Sequence, residues 1–203
     1  MTLYAATSNP GKLAEFATSA TVAGIAVLAL PNLATMPEPI EDALTFQGNA
    51  DLKAIAYSLL ASGLLVFADD SGLEAAALNG APGIRSARFA DDLAFEPNCG
   101  SKDDRNNRAL LFQLALHTDR SARFVCSLAL ARDGQVLLRA KGTVEGQILT
   151  SPRGTGGFGY DPLFLIPGLG LALAEIPRPD KWQLSHRGRA FRSLLAQLRS
   201  THL

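Results

Sequence analysis

The sequence predicts an α/β protein, and three observations carry that prediction. Residues 3–7 form a short apolar run that passes through a polar turn into a helical pattern. Residues 64–68 contain no polar side chain, as expected of a central strand covered on both faces. Asp133-Gly134 separates two longer runs, 123–131 and 135–144, and is the strongest short hairpin signal in the chain. With 203 residues, 47% of them hydrophobic, the chain can fill one sizeable domain or two lobes around a shared core. A single domain over residues 1–203 is the expectation.

The elements follow in order. After the strand at 3–7, Ser8-Asn9-Pro10-Gly11 supplies turn chemistry, and the helix beyond it carries Leu13, Phe16, Ala17 and Ala20 on one face. Gly24 restarts an apolar strand over 25–30. Pro31, Pro37 and Pro39 mark a long loop that delivers Glu41 and Asp42 to the next helix, over 45–62, where Phe46, Ala50, Lys53, Ala54 and Tyr57 recur at helical spacing. The strand at 64–68 then stops at Asp69-Asp70. Residues 71–100, rich in Gly, Ala, Pro and Asp, read as loop with little regular structure. A helix over 103–117 has Leu110, Leu111 and Leu114 as its apolar stripe, and the hairpin after it reads as the platform of a second lobe. Ser185 caps the last helix, which turns Ala190, Leu194, Leu195 and Leu198 inward.

Composition excludes several classes of function. Lys plus Arg and Asp plus Glu number 19 each, so no net field attracts nucleic acid or an anionic membrane, and a polyanionic ligand would need a local cationic pocket. Cys99 and Cys126 are too few for a disulfide framework or a four-thiolate metal site, and both read as small hydrophobes suited to a reducing compartment. The first residues lack the basic and apolar regions of a signal peptide, and the apolar stretch 59–68 is far shorter than the ~20 residues of a membrane span. A soluble, cytoplasmic protein is expected.

Four segments carry candidate chemistry. Asp69-Asp70-Ser71-Gly72 ends the most hydrophobic strand, where sheets with parallel strands place their ligands. Adjacent strand residues point to opposite faces, so Asp70, nearer the Ser-Gly turn, is the carboxylate expected in the site. The competing reading is a carboxylate capping nearby amides. Glu41 is a second candidate acid. Thr7-Ser8-Asn9-Pro10-Gly11-Lys12 enters a helix, so backbone amides and Lys12 could cradle phosphates at the positive end of the helix dipole. It is not a Walker A loop, because Ala6 and Leu13 stand where glycine and a hydroxyl residue are required. An ordinary capped helix with an exposed lysine explains the same residues.

Gly154-Thr155-Gly156-Gly157-Phe158-Gly159 matches the spacing of a dinucleotide fingerprint, but Ser151-Pro152-Arg153 precedes it, and Pro162 blocks the helix that should follow. What remains is a loop presenting Phe158, Tyr160 and Asp161, suited to stacking on a flat base and bonding its edge, or else a tight turn with two core aromatics. Ser185-His186-Arg187-Gly188 places two cationic side chains in the first turn of the last helix, where an anionic or carbonyl ligand would offset an unfavourable dipole interaction. Lys181 stands just before it.

In this order, these segments resemble the inosine/xanthosine triphosphate pyrophosphatase family. The resemblance also includes Thr45-Phe46, Asn49-Ala50, Gly80-Ala81-Pro82-Gly83 and Ser86-Ala87-Arg88, and spans nearly the whole chain. It implies an elongated mixed sheet flanked by helices, two lobes with a central active-site cleft, a homodimer, and Mg2+-dependent hydrolysis of ITP, dITP and XTP to monophosphate and pyrophosphate. It implies further that Thr7, Ser8, Asn9, Pro10, Gly11 and Lys12 hold the triphosphate, that Glu41 and Asp70 serve the metal, and that Asp70 is the general base. Ser71, Phe158, Gly159, Tyr160, Asp161, Lys181, His186 and Arg187 would contact the nucleotide. The chain departs from the family pattern at Gly48, where glutamate is common, at Ala43, where glycine is usual, and at Trp182, where asparagine often follows the lysine. The first departure leaves one fewer acid near the metal.

Donors in the turn at 185–188 would favour a 6-oxo purine over adenine, and a pocket without room or an acceptor for the 2-amino group would reject GTP. Two other classes are compatible with parts of the sequence. A non-catalytic nucleotide sensor could use the same loops, although it has little need of both Glu41 and Asp70. A reductase on a dinucleotide fold is disfavoured by the misplaced glycine loop.

Overall fold

A computed structural model describes residues 1–22, 24–96 and 100–201, the side chains at 19, 21 and 22 excepted. Cys99 lies outside the described residues. The strands are β1 (Thr2–Ala5), β2 (Ala26–Ala29), β3 (Val66–Ala75), β4 (Ser121–Arg132), β5 (Gln135–Ile148), β6 (Phe164–Ile166) and β7 (Leu171–Ala172). They form one sheet in the order β2-β1-β3-β4-β5-β6-β7. β1 is parallel to β2 and β3, whereas β6 is antiparallel to β5 and β7, so the sheet is mixed, as the sequence led us to expect. The helices are α1 (Pro10–Val22), α2 (Phe46–Leu60), α3 (Phe89–Asp92), α4 (Lys102–Gln113), α5 (Arg178–Leu184) and α6 (His186–Ser200).

Helix starts follow local chemistry. The Asn9 side chain accepts from the Lys12 amide at 3.1 Å, Thr45 from Gly48 at 3.0 Å and Ser185 from Gly188 at 3.0 Å. At the hairpin between β4 and β5, Asp133 and Gly134 both take positive φ, 49° and 79°, as a tight two-residue turn requires.

Several lengths differ from the sequence expectation. β3 does not stop at the aspartates but continues through Ser71-Gly72-Leu73-Glu74 to Ala75, with Leu73 and Ala75 buried. Pairing and burial override the turn propensity of Ser-Gly. The stretch after it is also more regular than expected, with 3-10 turns at Ala76–Leu78 and Gly83–Arg88 before α3. α4 ends at Gln113 and not at 117, Leu114 being its C-cap.

The chain forms two compact units. The first comprises Met1–Asp70, Cys126–Thr143 and Ser185–Leu203, and the second Ser71–Val125 and Val144–Leu184. β4 and β5 run through both, so the hairpin is not the platform of the second alone. In the first unit Phe16, Phe67 and Phe191 pack with centroids 5.0–5.5 Å apart, and α2 lays Ala50, Ala54 and Tyr57 against Val66, Ala68, Ala129 and Ala131. In the second, Leu110 of α4 and its C-cap Leu114 join Leu73, Phe89, Phe124, Leu163, Phe164 and Leu173.

Candidate active site

Two polar clusters emerge, one in each unit. In the first, β3 presents Asp69 and Asp70 in succession, so their side chains leave on opposite faces. Asp69 is buried, its Oδ2 2.8 Å from Lys12 Nζ and 3.8 Å from Arg187 Nε. Burial pushes its carboxyl up, but the charges of Lys12, Arg187 and Lys53 outweigh that and hold it far below the usual carboxylate range. Asp70 behaves oppositely. Burial raises its carboxyl above the ordinary value, offset only in part by Lys53 at 3.7 Å and by the Asn49 amide, which donates to Oδ2 at 3.1 Å.

Lys53 also pairs with Glu41 at 2.9 Å, so the two carboxylates expected at a metal share one ammonium. Burial lowers the Lys53 pKa, but Asp70, Asp69 and Glu41 together raise it above the usual value, which keeps the side chain charged. Lys12 follows from the turn Thr7-Ser8-Asn9, in which the Asn9 amide donates to Thr7 Oγ1 at 3.2 Å. Thr7 and Gly11 are half-buried, while Ser8 and Pro10 are exposed.

His186 and Arg187 occupy the first turn of α6 and are buried. Gly142 of β5 permits this placement, since a Cβ there would collide with His186 O and Ala190 N. The sequence suggested that a bound ligand would offset the Arg187 charge. The protein itself does so, with Glu15 Oε2 at 2.9 Å and Asp69. Desolvation lowers the guanidinium pKa, but those carboxylates raise it further. The Cys126 thiol is buried and pushed well above its normal range, foremost by desolvation.

In the second unit, Lys181 Nζ lies 2.6 Å from Asp161 Oδ2, and both residues are buried. The same oxygen accepts from the Phe158 amide at 2.8 Å, and Lys181 Nζ stands 5.2 Å from the centroid of the half-buried Phe158 ring. Gly157, at φ 76°, lets Asp161 fold back, because any Cβ there would strike Asp161 Oδ2. Tyr160 follows the second of the two readings of this loop, the turn with core aromatics. Its ring is in the core and its hydroxyl donates to Ser86 O at 2.8 Å, so the loop does not present it for stacking. The glycine run leads into a 3-10 turn at Asp161–Leu163 and not into an α-helix, as the Pro162 argument required. Ser71 is half-buried on β3.

The structure thus brings Lys12, Glu41, Asp70, His186 and Arg187 into the first unit and Ser71, Phe158, Gly159, Tyr160, Asp161 and Lys181 into the second. Sequence reasoning overlooked Lys53, Asn49, Asp69 and Glu15 as polar partners. A signal existed for Lys53, a charge recurring at helical spacing with Phe46, Ala50, Ala54 and Tyr57. Among the described residues no group of three or more His, Cys, Asp or Glu could hold a metal ion.

Comparison with known proteins adds a further observation. A sequence model described as the Ham1 family matches residues 3–197. A protein of Acidobacterium capsulatum named dITP/XTP pyrophosphatase is 50% identical over 98% of both chains. One of the same name from Thermus thermophilus is 43% identical over 96% of this chain and 90% of its own. Among solved structures, the Ham1 protein of Staphylococcus aureus superposes with a TM-score of 0.83 at 37% identity, covering 98% of this chain and 99% of its own. A HAM1 protein from Coxiella burnetii gives 0.84 at 35%, covering 99% and 100%.

Proposed function

The chain belongs to the Ham1 family, and from that premise we infer that it hydrolyses non-canonical purine nucleoside triphosphates (ITP, dITP and XTP) to the monophosphate and pyrophosphate. The observation that carries the reading is the opposite treatment of two adjacent aspartates. Asp69 is fixed as an anion between Lys12 and Arg187, while Asp70, with a raised pKa, is the better proton acceptor. Asp70 accepts the proton of the attacking water as the α–β anhydride bond breaks and pyrophosphate leaves. Asn49 and Lys53 orient the Asp70 carboxylate. Lys12 meets the phosphate charge at the start of α1, where the helix dipole and the N–H groups of Ser8 and Gly11 in the Thr7-Ser8-Asn9-Pro10-Gly11 turn favour anions.

The donor set suits magnesium. Glu41 and Asp70 are hard oxygen donors already converging on one cation, the Lys53 ammonium, and Mg2+ is commonly held by one or two carboxylates together with substrate phosphates and waters. When bound, the ion supplies neutralisation of the phosphate oxygens. Base recognition falls to Phe158, Gly159, Asp161, Lys181, the backbone at Tyr160, and His186 with Arg187. Ser71, next to Asp70 in sequence, contacts the nucleotide. We further propose a homodimer working on the free nucleotide pool of the cytoplasm. No helix among the described residues is long and apolar enough to cross a membrane.

The test is a panel of nucleoside triphosphates with Mg2+, scoring pyrophosphate against orthophosphate. Pyrophosphate from ITP, dITP or XTP with ATP and GTP largely spared is expected. Orthophosphate release, or equal turnover of GTP and ITP, would refute the reading, and removal of Mg2+ with a chelator should abolish turnover.

A further inference from the structure

The glycine-rich loop at 154–159 has little intrinsic stiffness, with Gly154, Gly157 and Gly159 all at positive φ. Yet one residue within it, Gly159, is held through both its N–H and its C=O by a single helix. The Gly159 amide donates to Asp103 Oδ2 at 2.7 Å, and the Gly159 carbonyl accepts from Asn107 Nδ2 at 2.9 Å. Asp103 and Asn107 are four residues apart on α4, so both side chains leave one face. That helix is itself firmly seated. Ser101 and Asp104 form a capping box, Leu110 and Leu114 are buried in the core, and Asn106 accepts from the Ala90 amide at 2.9 Å.

We propose that Asp103 and Asn107 are positioning residues for purine recognition, clamping the two peptides that flank Gly159 so that Phe158 and its neighbours are ordered before the base arrives. The proposal rests on the assignment of base recognition to this loop in the preceding subsection. Asp103 is exposed, whereas Asn107 is buried. Two side chains from one helix face thus converge on a single loop residue, one on its N–H and one on its carbonyl. The adjoining backbone is fixed in the same way, by Asp161 at the Phe158 amide and by the Tyr160 hydroxyl on Ser86. Together these bonds order a segment whose glycines would otherwise make ordering costly on binding.

The decisive variant is Asp103→Ala, because an exposed position can be truncated without emptying the core. Asp103→Asn, which keeps an acceptor for the Gly159 amide, is its rescue. Four quantities are read: hydrogen exchange at the 154–160 amides, the melting temperature, and KM and kcat for ITP. Expected for Asp103→Ala are faster exchange in the loop, an unchanged melting temperature, a rise in KM of about tenfold and a kcat within about twofold of the parent. Asp103→Asn should return KM and exchange toward the parent. Loop exchange that does not change, or a KM equal to the parent's while exchange rises, would overturn the proposal. So would a fall in kcat together with the melting temperature, which would mark a merely structural contact. A parent protein that leaves ITP intact would instead remove the functional reading itself, a result recognisable before any variant is made.

Discussion

Asp69 and Asp70 share a peptide bond, yet their side chains meet opposite surroundings because strand geometry sends them to different faces. The first faces Lys12 and Arg187, and the second faces Asn49 and Lys53. Their replacements should therefore separate. Asp70→Asn is expected to lower kcat for ITP about a thousandfold, the usual range for a lost general base, while KM and the melting temperature stay near parental values. Near-normal steady-state turnover in that variant would place the base elsewhere. Asp69→Ala should instead cost about 3 kcal/mol in urea unfolding, since the buried Arg187 and the half-buried Lys12 lose a counter-charge. A parental midpoint would show that Glu15 and solvent suffice. The sequence pointed to Asp70 because it stands nearer Ser71-Gly72, a step that is strand and not turn in the structure. It could not single out Asp69 or Lys53, whose partners lie up to 118 residues away, as with Asp69 and Arg187.

At the scale of elements, starts were legible and ends were not. Thr45 and Ser185 act on amides three residues ahead, so the signal for each helix start is contained in a few letters. The extent of β3 depends on which strands flank it, and its Ser-Gly step looked like a stop. α2 also explains two departures from the family pattern together. A Cβ on Gly48 would lie 2.6 Å from the Cβ of Ala43 and 3.2 Å from Thr45 Oγ1. Glycine at 48 thus accommodates alanine at 43. Gly48→Ala should destabilise the protein despite a helix-propensity gain of about 1 kcal/mol, and Ala43→Gly in the same chain should restore or exceed the parental stability. Thermal melts of the two single variants and the double decide it, and additivity would refute the coupling. Trp182, the third departure, is buried in α5, and nothing in the structure explains why asparagine is replaced there.

At the scale of the whole molecule, the two compact units are interleaved along the chain. The boundaries after Asp70, Val125 and Thr143 all fall inside β3, β4 and β5. Neither unit is a continuous piece of sequence, and a strand cannot lose half its length without loosening the other half. We expect one cooperative unfolding transition, with Trp182 fluorescence, reporting on the second unit, and far-UV circular dichroism giving coincident urea curves. Two separated midpoints would reject that expectation. The sequence by itself determined the α/β class, the starts of α1, α2, α4 and α6, the hairpin turn and the residues worth suspecting, because these depend on periodicity and on hydrogen bonds spanning two to four residues. Only the tertiary structure decided which charges are partners, that Arg187 is balanced by Glu15 from the other end of the chain, and that Tyr160 belongs to the core. Those outcomes depend on burial and on encounters between distant segments, and neither is encoded in any local stretch of residues.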